Sequence, residues 1–174
     1  NTLQSGVFLH NGSNGNVVGG TSAGARNVIS GNNHYGVEIL TSSQNNLVQG
    51  NYIGTDVTGQ VALGNTNGGM SFWGAGTGNV IGGSAAGAGN VVAANGTGVL
   101  VGSASSGATI QGNYIGVAAD GLTLLGNTAI GVDIQGNSIN TLVGSDNNGT
   151  NDAGERNVIA GNSVGVSVAD ASTT

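Results

Sequence analysis

The amino-acid sequence predicts an all-β solenoid in which short strands stack in parallel, one coil upon the next. The first observation is a long repeat: residues 16–32 return as residues 79–95 and, with an insertion, as residues 141–162. The second is a shorter motif, Gly-Val-x-Ile, whose six copies recur about every 30 to 33 residues, so that the long step equals two short ones. The third is composition, since 36 of the 174 residues are Gly and none is Pro. The strict recurrence of paired apolar residues favours a folded repeat array over a disordered Gly-rich tract.

The Gly-Val-x-Ile copies alternate apolar with variable residues, which is typical of a half-buried strand. We expect the apolar members to point inward; they are Val7, Leu9, Val37, Ile39, Met70, Phe72, Val99, Val101, Val132, Ile134, Val166 and Val168. We expect the residue between each apolar pair to point outward from the coil; these residues are Phe8, Glu38, Ser71, Leu100, Asp133 and Ser167.

Two other motifs supply the remaining strands, Asn-Val-Ile-x-Gly-Asn and Gly-Asn-Tyr-Ile-Gly, each broken by residues that favour turns. The prediction is about six coils of ~30 residues with three short strands in each. Residues 1–174 would form one solenoid domain, open at both ends. Loops should alternate between two edges of the rod, with residues 21–26, 84–89 and 145–156 at one edge and residues 55–67 and 117–128 at the other.

Asparagine opens the same strand in successive coils. Because equivalent residues of a stacked coil lie above one another, their amides are expected to hydrogen-bond from coil to coil, as in the Asn ladders of stacked β structure. The predicted ladder consists of Asn27, Asn51, Asn90, Asn113 and Asn157.

Charge and composition exclude several classes of partner. The net charge is −6, and the only basic residues besides two His are Arg26 and Arg156. Nucleic acids and anionic membranes are bound through clusters of Lys and Arg, so neither is an expected partner. The chain has no Cys, which excludes a disulfide framework and a thiolate metal site. No apolar run is long enough for a membrane span.

The Asn-Val-Ile-Gly-Gly and Gly-Asn-Tyr-Ile-Gly motifs resemble the repeats of right-handed parallel β-helix proteins, the pectate-lyase-like solenoids that prokaryotes secrete or carry on the cell surface. The resemblance covers nearly the whole chain. It implies a right-handed solenoid and an extracellular or cell-surface location. Its function is left open, because such proteins range from passive stalks and adhesins to polysaccharide lyases and hydrolases.

The sequence offers no convincing catalytic constellation. Glu38 and Asp133 hold equivalent outward positions three coils apart, or roughly 14 Å, which is too far for a carboxylate pair of a glycosidase. Each is expected to be a solvated surface residue. His10 and His34 have no Ser or carboxylate partner at a recognisable spacing, and the two Arg residues are expected to brace loop corners.

Three further features are candidate binding or modification sites. The insertion between residues 145 and 156 concentrates Asp146, Asp152 and Glu155, and carboxylates are preferred ligands of calcium. Calcium at this cluster is the one cofactor that we weigh against an ordinary exposed acidic loop. Outward aromatic rings provide a limited case for carbohydrate binding; the rings are Tyr52, Trp73 and Tyr114. Three triplets match the glycosylation acceptor, at Asn11, Asn95 and Asn148.

Taken together, these observations predict a non-enzymatic structural or adhesive β-helix outside the cell. It would be a rigid segment of a longer surface protein, with covalent continuation of the solenoid, or a subunit that stacks end to end into a filament. The first form is favoured, because simple stacking would leave part of a coil empty between two chains. The alternative is a β-helix that binds or cleaves polysaccharide.

Overall fold

The computed structural model describes residues 5–169, and these residues wind as a parallel β-solenoid with three sheets. The first sheet contains the six Gly-Val-x-Ile strands, β1 (Val7–Leu9), β4 (Tyr35–Leu40), β7 (Gly68–Trp73), β10 (Thr97–Gly102), β13 (Ile130–Gln135) and β16 (Val164–Ala169). The second contains β2 (Val17–Gly19), β5 (Leu47–Gln49), β8 (Val80–Gly82), β11 (Thr109–Gln111) and β14 (Leu142–Val143). The third contains β3 (Val28–Ile29), β6 (Tyr52–Ile53), β9 (Val91–Val92), β12 (Tyr114–Ile115) and β15 (Val158–Ile159).

Every strand pairs in parallel with the equivalent strand of the neighbouring coil. The register places Val37 beside Met70 and Val99 beside Val132, so each Gly-Val-x-Ile copy stacks on the next. The all-β parallel solenoid and the three strands per coil are therefore confirmed. The number of coils is about five, not six. One coil needs a strand from each sheet, and β16 has no described strands of the second and third sheets after it.

The core is the column of inward-facing side chains enclosed by the three sheets. The fully buried members include Val37, Ile39, Met70, Phe72, Val99, Val101 and Val132, all of which were predicted to point inward. Ile53, Ile81, Ile110 and Ile115 join them from the other two sheets. At the last strand the prediction is not met, since the exposed fraction of Val166 is 46% and that of Val168 is 74%. No described strand lies beyond β16 to cover them.

The loops alternate as predicted. The loops at residues 21–26, 84–89 and 145–156 lie between strands of the second and third sheets, whereas those at residues 55–67 and 117–128 lie between the third sheet and the next strand of the first. In the described part of the chain, helix is limited to a 3₁₀ turn at Ala23–Ala25 and one short α-helix, α1 (Asp152–Glu155). Within residues 5–169 no helix has the length and apolar character of a membrane span.

The predicted asparagine ladder is present at the corner before the third sheet. The Nδ2 group of each Asn donates to Oδ1 of the Asn one coil further along, at 2.9 Å for Asn27 to Asn51 and 3.0 Å for Asn90 to Asn113. The same Oδ1 atoms also accept the backbone N–H of the preceding coil, for example Asn51 N–H to Asn90 Oδ1 at 3.0 Å. The links between Asn51 and Asn90 and between Asn113 and Asn157 complete the column.

Two more ladders lie at the other corners of the coil, and neither was predicted. The corner before the first sheet holds a ladder of five residues, Asn32, Asn65, Asn95, Asn127 and Asn162. The corner before the second sheet holds a shorter one, Asn16, Asn46 and Asn79, which ends where Ala108 takes the equivalent position. Each of the three corners therefore uses the same side-chain amide device.

Candidate functional site

The outer face of the first sheet is the broadest surface that the repeats build. Its central row runs in strand register through Phe8, Glu38, Ser71, Leu100 and Asp133. Glu38 and Asp133 lie on β4 and β13, with β7 and β10 between them, so the predicted separation of three coils is observed. This spacing is that of two independent carboxylates.

Glu38 is the main surprise of this face. Its exposed fraction is 3%, so the expectation of a solvated residue is wrong. Oε2 accepts a hydrogen bond from the Ser5 hydroxyl and lies 3.1 Å from His34 Nδ1. The expectation that His34 has no carboxylate partner is therefore also wrong. His34 lies in the tight turn before β4, and its imidazole reaches back over the strand to Glu38, which is four residues further along the chain.

The group formed by Ser5, His34 and Glu38 does not have the arrangement of a nucleophilic triad. In such a triad the hydroxyl is bonded to one ring nitrogen of His and the carboxylate to the other. Here both the Ser5 hydroxyl and the Glu38 carboxylate approach the same nitrogen, His34 Nδ1, at 3.3 and 3.1 Å. The hydroxyl also donates directly to the carboxylate, so its proton is directed away from a role in nucleophile activation.

Aromatic side chains surround this buried carboxylate. The rings of Phe8 and His10 lie 4.6 Å apart, and those of His34 and Tyr35 meet edge to face at 4.9 Å. Burial raises the pKa of the Tyr35 hydroxyl above its ordinary value, and the negative charges of Glu38 and Asp133 raise it further. Further along the face Trp73 is 46% exposed, as predicted, and its indole lies over Gly102 of the next coil.

The two other predicted outward rings do not form an open platform. Tyr52 is covered by the guanidinium of Arg26, which lies 4.1 Å from the ring centroid. The same Arg26 donates through Nε to the carbonyl of Gly50 at 3.0 Å, so it braces the loop corner as predicted, on an aromatic ring and a carbonyl. Tyr114 lies against Gly121 of its own loop and is half-buried.

The loops at residues 55–67 and 117–128 each fold around one aspartate. Oδ1 of Asp56 accepts the Thr58 hydroxyl at 2.7 Å and three backbone N–H groups, and this lowers the pKa of Asp56. Backbone and hydroxyl donors of Leu122 and Thr123 lower the pKa of Asp120 in the same way. Both carboxylates are used in holding their own loops.

The three carboxylates predicted as a metal cluster are brought together. Asp146, Asp152 and Glu155 each offer one oxygen, and these oxygens lie within 4.8 Å of one another. Asp146 is exposed, whereas Glu155 is only 5% exposed, so the cluster extends from the surface into the buried part of the loop. Metal binding itself stays a prediction at this point.

The three glycosylation triplets have different environments. Asn95 is 1% exposed, and its Nδ2 donates to carbonyls of Ile53 and Ala93 and to Asn127 within a ladder. It is therefore not available as a glycan acceptor, which corrects the sequence-based expectation. Asn11 and Asn148 are exposed, and glycosylation there stays a prediction.

At the two ends of the described solenoid, apolar side chains are uncovered. Val7, Leu9 and Val18 of the first coil pack against the core but are only half-buried, and Val166 and Val168 of the last strand are 46% and 74% exposed. The tail at residues 170–174, on which part of the prediction about open ends rested, lies outside the described residues.

No family model, no curated protein and no solved structure matches the chain. The prokaryotic, pectate-lyase-like origin that the motifs suggest thus stays a prediction, whereas the parallel solenoid is observed.

Proposed function

We propose that this chain is a non-enzymatic structural β-helix that serves as a rigid element of a cell-surface or extracellular protein. The observation that carries the proposal is the set of three asparagine ladders. Buried amides such as Asn51, Asn90 and Asn113, each at most 1% exposed, connect every coil to the next. An array fastened in this way transmits load along its axis and gains its core only by stacking.

The apolar side chains that are uncovered at the ends of the described solenoid need a partner. The chemistry that fits them is another β-helix coil, supplied by covalent continuation of the solenoid or by a second copy stacked end to end. Unpaired strand edges recruit further strands, which supports both forms. Adhesion would then be a property of the surface that the rod carries outward.

Amide hydrogen exchange tests the rigid-rod proposal. We expect the backbone N–H groups of Asn51, Asn90 and Asn113 to exchange only through global unfolding, because each donates to a buried ladder oxygen. Exchange of these three amides at the rate of the exposed loops at residues 55–67 would reject a rigid element.

Sedimentation velocity and electron microscopy test the end-to-end form. Val166→Lys places a charge on the uncovered end, and Val57→Lys is the matched control on a side loop where Val57 is 76% exposed. Stacking predicts rods that the first variant abolishes and the control preserves. Dispersed particles of the unmodified chain at every concentration would reject stacking and leave covalent continuation.

Carbohydrate binding is the second candidate function, and the aromatic face of the first sheet favours it. Sugars stack on exposed rings, and this face presents Trp73, 46% exposed, and Phe8, 41% exposed. Affinity electrophoresis in gels that contain polysaccharide tests it. Trp73→Ala should abolish retardation, whereas Leu122→Ala, which removes an 83% exposed side chain from a side loop, should not. Equal mobility of all three proteins in every gel would reject this candidate.

A further inference from the structure

We propose that the insertion at residues 145–156 binds one hard divalent cation of the calcium class between the carboxylates of Asp146, Asp152 and Glu155. Calcium takes oxygen ligands at 2.3–2.6 Å, so two oxygens on one ion lie at most about 5 Å apart. The three carboxylate oxygens of this cluster lie within 4.8 Å of one another. Their mutual distance is thus already that of ligands on a single ion.

The repeats themselves provide the comparison that makes this cluster unusual. The backbone carbonyl of Ala88 accepts the N–H of Gly50, and the carbonyl of Glu155 accepts the N–H of Gly112, so the two residues hold the same position two coils apart. Ala88 is fully buried, and Glu155 is 5% exposed. The scaffold therefore holds a carboxylate where the earlier coil holds a methyl group. A buried carboxylate is costly unless a positive charge or a metal compensates it.

No protein cation supplies that compensation. Within residues 5–169 the single contact of ion-pair length between a basic and an acidic side chain is the one between His34 and Glu38, outside this loop. Arg156 follows Glu155 directly but is exposed and forms no ion pair with the cluster in the described region. Three carboxylates thus stand together, one of them buried, without a basic side chain against them.

A buried carboxylate oxygen without a hydrogen-bond partner also supports a cation site. Oδ1 of Asp152 is hidden from solvent and accepts no hydrogen bond from the described residues. A buried carboxylate oxygen without a donor is rare, because such atoms normally find a partner. A cation bound by the cluster would balance the charge of Glu155 and give the half-buried carboxylate of Asp152 a partner.

The extra length of the loop at residues 145–156 brings the carboxylate of Asp146 next to those of Asp152 and Glu155. Compared with the loop at residues 84–89, this loop has extra residues between Ser145 and Asp152, and Asp146 is one of them. The backbone N–H of Asp146 donates to Glu155 Oε2 at 3.1 Å, which fixes the two residues side by side. Asn148 holds the Asp146 carboxylate through Nδ2 at 2.8 Å, and each carboxylate retains lone pairs for a metal.

Isothermal titration calorimetry of the whole chain, freed of metal by a chelator, tests the proposal with calcium chloride. We expect one ion per chain, with a dissociation constant of about 0.1–1 mM, as in extracellular calcium modules. Glu155→Ala installs the residue found at the equivalent Ala88, so the variant suits the scaffold. It should weaken binding about tenfold or more through loss of a charged ligand. The control Asp133→Asn removes an acid from the first sheet and should leave the binding constant unchanged.

Thermal unfolding separates a metal ligand from a merely structural residue. Calcium should raise the unfolding temperature of the unmodified chain but not that of Glu155→Ala. In chelator, Glu155→Ala should unfold at the same temperature as the unmodified chain or higher, because the uncompensated buried charge is gone. Should this variant fail to fold, Asp152→Asn keeps the side-chain volume and should show the same loss of calcium response. The proposal is overturned by absence of saturable calcium binding, or by equal binding in Glu155→Ala or Asp152→Asn.

Discussion

Removal of one amide from the middle of a ladder should destabilise the whole array. Asn90 is 1% exposed, and its Oδ1 accepts both the backbone N–H and the Nδ2 group of Asn51, at 3.0 and 3.1 Å. Its Nδ2 donates to the Val48 carbonyl at 2.8 Å and to Asn113 at 3.0 Å. Asn90→Ala leaves the buried Asn51 N–H without its acceptor and removes the second donor to the Val48 carbonyl, which lies in a paired strand. A buried group left unsatisfied costs about 1–3 kcal/mol, so the free energy of unfolding should fall by at least about that amount.

Equilibrium unfolding in urea, followed by the fluorescence of the single Trp73, measures this loss. Asn67→Ala is the matched control, because Asn67 is an exposed asparagine of the same solenoid whose side chain makes no hydrogen bond to the residues that the structure describes. The control should change the free energy of unfolding by less than about 0.5 kcal/mol, as surface substitutions usually do. If Asn90→Ala were no more destabilising than the control, the buried ladder would not be the element that joins the coils.

Three other predictions concern the core and two titrating groups. Phe72→Ala, at a fully buried position, should lower the free energy of unfolding by about 3–5 kcal/mol in the same urea assay, because it leaves a cavity. Glu38→Gln should lower the raised pKa of Tyr35 toward its ordinary value, as measured by ultraviolet absorbance during alkaline titration, since it removes a negative charge near the hydroxyl. The raised pKa favours folding below the ordinary pKa of Tyr, and that contribution is lost as pH rises through the folded-state value. The pKa of Asp56 is lowered, so its contribution to stability is present above the ordinary pKa of Asp and is lost as pH falls through the folded-state value. NMR titration of the Asp56 carboxyl should show a higher pKa in the Thr58→Val variant, because that variant lacks the hydroxyl donor.

The sequence was sufficient to predict the coil because the information is local and repeated. The alternation in Gly-Val-x-Ile identifies the buried side chains of the inner copies, such as Val37 and Val99, and recurrence of the motif determines which strands become neighbours. The ladder through Asn27 and Asn90 follows from the same recurrence. The other two ladders have an equal signal in the sequence, an Asn at the same place before the strand in successive coils, such as Asn65 and Asn95.

What covers the outside of a sheet could not be predicted in this way. Glu38 occupies an outward position by periodicity, yet it is buried because Ser5 and His34 are brought over it by turns whose geometry has no period. The acidic loop is similar. Its three carboxylates are visible in the sequence, but the burial of Glu155 is recognised only when the carbonyl contacts align it with Ala88.

The ladders also give the rod a direction. In every column the Nδ2 group of one coil donates to Oδ1 of the following coil. At the ladder positions, the face toward the following coil therefore presents amide donors, and the opposite face presents Oδ1 acceptors. The strands between the corners present both N–H and C=O groups on each face. Unlike faces continue the columns, whereas like faces oppose oxygen to oxygen or donor to donor at the ladder positions. End-to-end stacking through these faces would therefore favour a head-to-tail contact, of the heterologous kind that yields an open fibre, over a twofold dimer.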